Sequence, residues 1–371
     1  MLKVKNEIGL VDQARAKLLE LIARVPFISV SGQVVESASG AAGGWRPDLS
    51  VSIDAGGASW QLVCDVKRDA QPRHVRGAAL VLKDYVERAG SVAGNGQRYP
   101  ILIAPFISAA SAGICNELGV GYVDLAGNCR LAFDGVYIEK STVENPFRSR
   151  RVQRSMFSPK SARLLRVLLA EPFRTWRVTE LSERCQVSLG QVSNLRQRLL
   201  DEEWAVADRT GMHLSKPREL LEAWSSVYRL DLAHSEAAYT LLHGESLEKA
   251  LRALLAEADR GKHAVLASYS AGQWIAPFAR TASAYFYADE NGETIIREHL
   301  HLEPAGKGAN VSIMRPKDEG VFLDRIEAAS GIWCTSPIQT YLDLAAGGLR
   351  GVEAAEHLFN ERIARTWKLT K

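Results

Sequence analysis

No run of about 18 apolar residues, the length a helix needs to cross a bilayer, occurs in the chain, and the sequence offers no helical membrane span. Cysteine is scarce. The five, at 64, 115, 129, 185 and 334, are odd in number and scattered, with no C-x-x-C pair and no Cys/His cluster at zinc spacing. That excludes a disulfide framework and a zinc finger, and it points to reduced, buried thiols in a cytoplasmic protein. A charge excess is missing too: 46 Lys and Arg against 43 Asp and Glu leave a formal +3. Affinity for a polyanion must then come from local clustering rather than from the total. Repeats and low-complexity tracts are absent, and the Gly-rich patches near 40–44 and 90–96 read as mobile loops. Residues 1–25 carry Glu7, Asp12 and Glu20 within their apolar pattern, which reads as an amphipathic helix and not a signal peptide. At 371 residues the chain exceeds what one core usually organises, so two or three domains are expected.

The patterning predicts a multidomain α/β and α+β protein. Helical spacing of Ile8, Val11, Ala14, Leu18, Leu21, Ile22 and Val25 gives way to alternation in LSVSID and WQLVCDVK around Ala55-Gly56-Gly57. A helix over 72–88, a buried strand in PILIAPF, a helix over 108–118 and two strands in GYVDLAGNCRLAF complete an α/β domain at 1–145. Residues 146–158 contain Arg148, Arg150, Arg151 and Arg154 without an acid, a basic linker that is either a solvated connector or an arm on DNA phosphate. A central domain spans 159–230. The C-terminal α+β domain, 231–371, is read as helices near 235–259, strands in SAYFYAD and ETIIREHL, and a helical end.

In the central domain three helices are expected, at 161–169, from 179, and over 189–202. In the third, Leu189, Val192, Leu195 and Leu199 form one apolar stripe, and the opposite face carries Gln191, Ser193, Asn194, Arg196, Gln197 and Arg198. Gln and Asn can pair bidentately with adenine and Arg with guanine, while Ser188, Ser193 and Arg side chains hold phosphates. WAVADRTGMHLS then gives two short strands about Arg209-Thr210-Gly211. Lys160, Arg163, Arg174, Arg177 and Arg209 surround this unit. Helix, helix, turn, helix, wing is the order of the winged helix-turn-helix family, which this segment resembles. The resemblance implies double-stranded DNA as partner, with no cofactor required. A protein-docking module with a merely solvated polar face is the alternative.

In the first domain, strand alternation places Asp65 and Lys67 on one face, and Asp48 shares parity with Ser50 and Ser52. Two carboxylates could hold Mg²⁺ on a phosphate, with Lys67 positioned to activate water or to stabilise developing charge. The pattern resembles the PD-(D/E)xK restriction-endonuclease-like family. That implies a Mg²⁺-dependent DNA endonuclease with Asp48, Asp65 and Lys67 as catalytic residues, or an inactive relic that grips nucleic acid. A further acid is expected from Glu20 or Glu36.

LGVGYVDLAGNCRL (118–131), the winged helix and SPIQTYLDLAAGGLRGVEAAEHLF (336–359) together resemble the AbiEi family of type IV toxin-antitoxin antitoxins, in the branch with an endonuclease-like N-terminal domain. This implies a regulator that represses its own operon and opposes a nucleotidyltransferase-like toxin without a stable complex; a homodimer is one option. The family usually places its winged helix first, and this chain does not. Ser268, Ser270, Gly272 and residues 282–288 resemble a nucleotidyltransferase core, but Asp289 and Glu290 fall at an expected turn, so the domain reads as a noncatalytic remnant. His299 and His301, alternating on an expected strand, lack a third ligand for a metal.

Overall fold

The computed structural model describes residues 7–32, 35–36, 45–88, 97–141, 156–230, 235–256, 262–278, 283–305 and 308–368. The basic linker arginines and both Gly-rich patches lie outside these. The chain divides into two compact units, Met1–Val152 with the Asp201–Glu203 segment, and Gln153–Leu200 with Trp204–Lys371.

The first unit is a sheet between helical layers. Helix α1 (Glu7–Ala23) is followed by strands β1 (Ile28–Val30), β2 (Val35–Glu36), β3 (Leu49–Ala55) and β4 (Ala58–Val66). Then come α2 (Pro72–Arg88), β5 (Gln97–Ala104), α3 (Ala109–Leu118), β6 (Gly121–Asp124), β7 (Cys129–Phe133) and β8 (Val136–Lys140). The strand order is β1-β3-β4-β5-β6-β7-β8, with β2 also paired to β3. β3 and β4 form the hairpin expected around Gly56 and Gly57, whose φ of 59° and 87° suit glycine. β5 runs parallel to both β4 and β6, the crossovers being α2 and α3. Alternation sorts the faces. Leu49, Val51, Leu62, Cys64, Ile101 and Ile103 pack with Ala14, Leu18 and Ile22 of α1. Leu102, Ala104 and Tyr122 pack with Val75, Ala79 and Leu82 of α2 and with α3. The DLAGN turn after β6 is closed by the buried Asp124, whose carboxylate accepts from the backbone of Gly127 and Asn128 at 2.8 Å each and of Ile107 at 3.0 Å.

The second unit opens with α4 (Pro159–Ala170), capped by Ser158 and started by Pro159, then α5 (Val178–Cys185) and α6 (Leu189–Asp201). β9 (Ala205–Ala207) and β10 (Met212–Leu214) pair as an antiparallel hairpin, the place of the expected wing, and Trp176 adds an isolated bridge to Met212. α7 (Pro217–Val227) follows. After it come β11 (Ser235–Tyr239), α8 (Gly244–Ala256), β12 (Ala264–Leu266), α9 (Ser268–Ile275), β13 (Ala284–Ala288) and α10 (Glu290–His299). The unit ends with β14 (Glu303–Pro304), β15 (Val311–Met314), α11 (Gly320–Leu323), β16 (Ile326–Ala329), β17 (Ile332–Cys334), α12 (Pro337–Ala345) and α13 (Leu349–Leu358). A π turn over Phe359–Ile363 and a last short α14 (Ala364–Thr366) close it. The mixed sheet has the order β14-β11-β15-β13-β12-β17-β16.

Two expectations for this region are corrected. Residues 235–239 are a strand rather than the start of a helix, because they pair with both β14 and β15. ETIIREHL is the helix α10, not a strand. Asp289 caps it by accepting from Gly292 N at 2.8 Å, acids occupy its first turn, and Glu293 meets Arg297 one turn on. His299 closes that helix and His301 follows it at φ 49°, so the two histidines share no strand face.

The helices α4 to α7, the β9–β10 hairpin and the helices α12 and α13 share one core. Leu164, Leu168, Leu195, Leu199 and Trp224 are in the same apolar cluster as Ile338, Tyr341, Leu358 and Trp367. Trp367 donates its indole N–H to Leu169 O at 2.6 Å. Buried polar groups cross this core as well. Arg166 meets Asp324 and Gln339, and Asp343 accepts from Tyr228 at 2.6 Å, Gln339 at 2.9 Å and Tyr287 at 3.1 Å.

Candidate functional site

Two sites emerge, one in each unit. In the second, Ser188 and Gln191 form a capping box at the start of α6: Gln191 N donates to Ser188 Oγ at 3.3 Å, and Ser188 N donates to Gln191 Oε1 at 3.1 Å. The S-x-x-Q spacing carried that signal in the sequence. Val192, Leu195 and Leu199 are buried, which turns Ser193, Asn194 and Gln197 to solvent and leaves Arg196 and Arg198 half-exposed. Leu189 departs from the expected stripe: it is 52% exposed, because the first turn of α6 projects past the core. No acid stands on α6 before Asp201.

The wing turn is held by Asp208, which accepts from Thr210 N at 2.7 Å, from Thr210 Oγ1 at 2.5 Å and from Gly211 N. These hydrogen bonds, first the Thr210 hydroxyl, keep the Asp208 carboxyl below its ordinary range. A Cβ on Gly211 would run into Trp176 O, so the hairpin turn lies tight on the backbone at Trp176. Arg209 at the tip, Lys160 at the start of α4 and Arg177 before α5 are exposed. Two cations expected beside them are engaged within the unit. Arg163 forms a two-pronged pair with Asp318 at 2.6 and 2.9 Å. Arg174 lies 3.9 Å over the Trp176 ring and pairs with Glu171 and Glu180.

In the first unit the β3–β4 register pairs Leu49 with Cys64, and its continuation by one residue sets Asp48 opposite Asp65. Asp48 Oδ2 accepts from Val66 N at 2.7 Å, while Lys67 donates to Asp65 Oδ1 at 2.9 Å. Asp65 is buried, and its Oδ2 has no hydrogen-bond partner. Burial, with Asp48 beside it and Lys67 opposing, raises the Asp65 carboxyl from 3.8 to about 6. Two adjacent hard oxygen donors, one orphaned and buried, fit a Mg²⁺ ion. Glu20 does not join them, since it pairs with Lys17 and Arg24 on the exposed side of α1. The backbone of Glu36 lies in β2 opposite Leu49. Among the described residues no group of three or more His, Cys, Asp or Glu is placed to hold a metal.

In the C-terminal sheet, Asp289 is spent on capping α10 and on His263 Nδ1 at 2.6 Å, and Glu290 and Glu293 pair with Arg315. Ser270 Oγ accepts from Tyr285 N at 2.9 Å. Among the described residues no helix is long and apolar enough to cross a membrane.

No curated protein and no solved structure matches the chain. Of the stretches that carried the antitoxin resemblance, 336–359 falls inside residues 213–364, which match a family model, while 118–131 and the helices at 159–201 fall outside them. Residues 213–364 match the model of the family described as transcriptional regulator, AbiEi antitoxin, type IV toxin-antitoxin system.

Proposed function

We propose that this chain is a sequence-specific, double-stranded-DNA-binding transcription regulator, an antitoxin that represses its own operon and opposes a nucleotidyltransferase-like toxin without binding it stably. The observation that carries the reading is the outer face of α6. Ser193, Asn194, Arg196 and Gln197 stand on a capped helix whose other side is fixed in the core, with an acid-free surface and an exposed Arg209 on the wing beyond. A helix of this kind suits the major groove, with the wing on an adjacent phosphate. The family match at 213–364 supports the regulatory role. DNA binding on this reading needs no cofactor. The test is a gel-shift and footprinting experiment on the promoter of the chain's own transcription unit. A protected site that is lost with Asn194→Ala or Arg196→Ala supports the reading, and no protection overturns it.

The pairing of Asp48 with Asp65 beside Lys67 favours a second reading, a Mg²⁺-dependent PD-(D/E)xK endonuclease targeted by the winged helix. Asp48 and Asp65 would hold the ion, which when bound would polarise a phosphodiester. Lys67 would stand beside it to orient water or to stabilise charge on the phosphate.

A further inference from the structure

Beside the carboxylate pair, the first unit has a cleft of about 540 Å³, within the range of small-ligand sites. The buried Asp65, its Oδ2 unpartnered, and Lys67 line it. Arg73 is exposed in the first turn of α2, which carries no acid, so the positive end of the helix and a guanidinium face the same opening. Along the same helix the cleft wall is Gly77 and Val81, and Trp45, edge-on to Tyr85 at 5.1 Å, adds an aromatic ring. From Arg73 to Val81 the helix rises about 12 Å, the length of one nucleotide.

Gly77 gives the cleft its meaning. It stands in the interior of a 17-residue helix, where glycine is unfavourable relative to alanine. A Cβ there would meet nothing within 4 Å, so no packing inside the protein demands the glycine. What a side chain at 77 would occupy is the cleft itself. Arg73, Gly77 and Val81 follow each other at four-residue steps on one face of α2, which gives a cationic end, a flat middle and an apolar end.

We propose that this cleft binds a single nucleotide, its phosphate at Arg73 and Lys67 and its base laid over Gly77 against Val81 and Trp45. The nucleotide is either free or the unstacked end of a nucleic-acid strand. The proposal rests on the second reading above in taking the carboxylate site as a place where a phosphoester sits, and it adds recognition of an unpaired base there. Three cations, Lys67, Arg68 and Arg73, line the cleft against two acids, Asp65 and Asp69, an excess that favours an anion. An aromatic ring and an apolar helix face accept any base by stacking.

The test is calorimetric titration of the full chain with individual nucleoside monophosphates in the presence of Mg²⁺. Saturable binding is expected, weakened about tenfold or more by Trp45→Ala and by Arg73→Ala. Gly77→Ala should raise the thermal midpoint and yet weaken binding, a combination that a purely structural glycine does not give; Gly77→Leu should abolish binding. Failure of every mononucleotide to bind, or binding that these variants leave unchanged, overturns the proposal. Competition tells the two sources apart. Displacement by a single-stranded tetranucleotide identifies a strand end, and its absence identifies a free nucleotide. Competition by blunt duplex alone overturns the slot. Mn²⁺ binding followed by electron paramagnetic resonance reports separately on Asp48 and Asp65. Metal binding without nucleotide binding therefore removes this inference and leaves the second reading standing, whereas nucleotide binding without metal binding does the reverse.

Discussion

Arg166, on α4, places its Nε 2.7 Å from Oδ2 of Asp324, which lies 158 residues further along the chain. Arg166 is 3% exposed, and Ser336 and Gln339 add polar contacts to the pair. Asp318 holds Arg163 one turn earlier on the same helix. The helix α4 is thus tied to the C-terminal part by part-buried ion pairs, with Arg166 itself buried, rather than by exposed pairs worth little.

Removal of Arg166 leaves Asp324, a part-buried carboxylate that accepts from the Ser336 hydroxyl, without its cation. Arg166→Ala should destabilise the second unit by about 3–5 kcal/mol, read from urea unfolding. Arg166→Met combined with Asp324→Leu should recover most of that loss, because the desolvation cost of both charges disappears together. If the double variant is no better than the single one, the pair is not the source of the effect.

Asp343 sets a pH dependence. Burial raises its carboxyl from 3.8 to about 6, with hydrogen bonds from Tyr228, Gln339 and Tyr287 pulling the other way. A raised acid binds its proton more tightly in the folded chain than in the unfolded one. Its contribution is fully present below pH 3.8 and is lost as pH rises through about 6. The interval corresponds to about 3 kcal/mol. Between pH 4 and 7 the wild type should therefore lose stability relative to Asp343→Asn, which cannot ionise. The comparison is made by denaturant melts at matched pH, and parallel curves would count against it.

The helices α4 and α6 were legible because their signals are local. Ser158-Pro159 starts α4, S-x-x-Q starts α6, and the 3.6-residue pattern of Val192, Leu195 and Leu199 sets its buried face. The first unit was legible through the alternation of β3 and β4 and the glycine turn between them. Whether Asp48 reaches Asp65 depended on cross-strand register, which alternation alone does not fix. Helix and strand were exchanged where propensity and context disagree. SEAAY reads as helical yet fills a sheet position between β14 and β15, while the Ile-Ile of α10 suggests a strand that the Asp289 cap and the Glu293–Arg297 pair override. Arg163 looked available for DNA because nothing near it in the sequence shows Asp318.

DNA affinity should fall steeply with salt, with a log-log slope of about −0.9 per phosphate neutralised. Asn194→Ala and Arg196→Ala should each lose about 1–3 kcal/mol on the cognate site and less on random duplex. Arg209→Ala should weaken both to the same degree, as expected of a phosphate contact. Arg163→Ala should leave the salt slope unchanged, since its guanidinium is held by Asp318. Equal losses on both DNAs for all the variants would mean that α6 does not read bases.

The chemistry of the first unit is tested by plasmid nicking. Cleavage needs two carboxylates within reach of one ion and a cation near the phosphate, and Asp48, Asp65 and Lys67 stand together on the α2 side of the sheet. Supercoiled plasmid incubated with the wild type and Mg²⁺ or Mn²⁺ should be nicked if the second reading holds. Asp65→Ala should abolish nicking because it removes the buried donor, and Lys67→Ala should abolish it while leaving Mn²⁺ binding intact. Acid should also suppress it. With its carboxyl raised to about 6, Asp65 holds a proton below that pH, and the proton competes with the ion for the same oxygens. Arg209→Ala on the wing should lower nicking at all positions alike without changing the metal requirement. A wild type that leaves plasmid intact with both metals, while still protecting its promoter, would remove the endonuclease reading and leave Asp48 and Asp65 as a site that holds an ion or a phosphate without cutting.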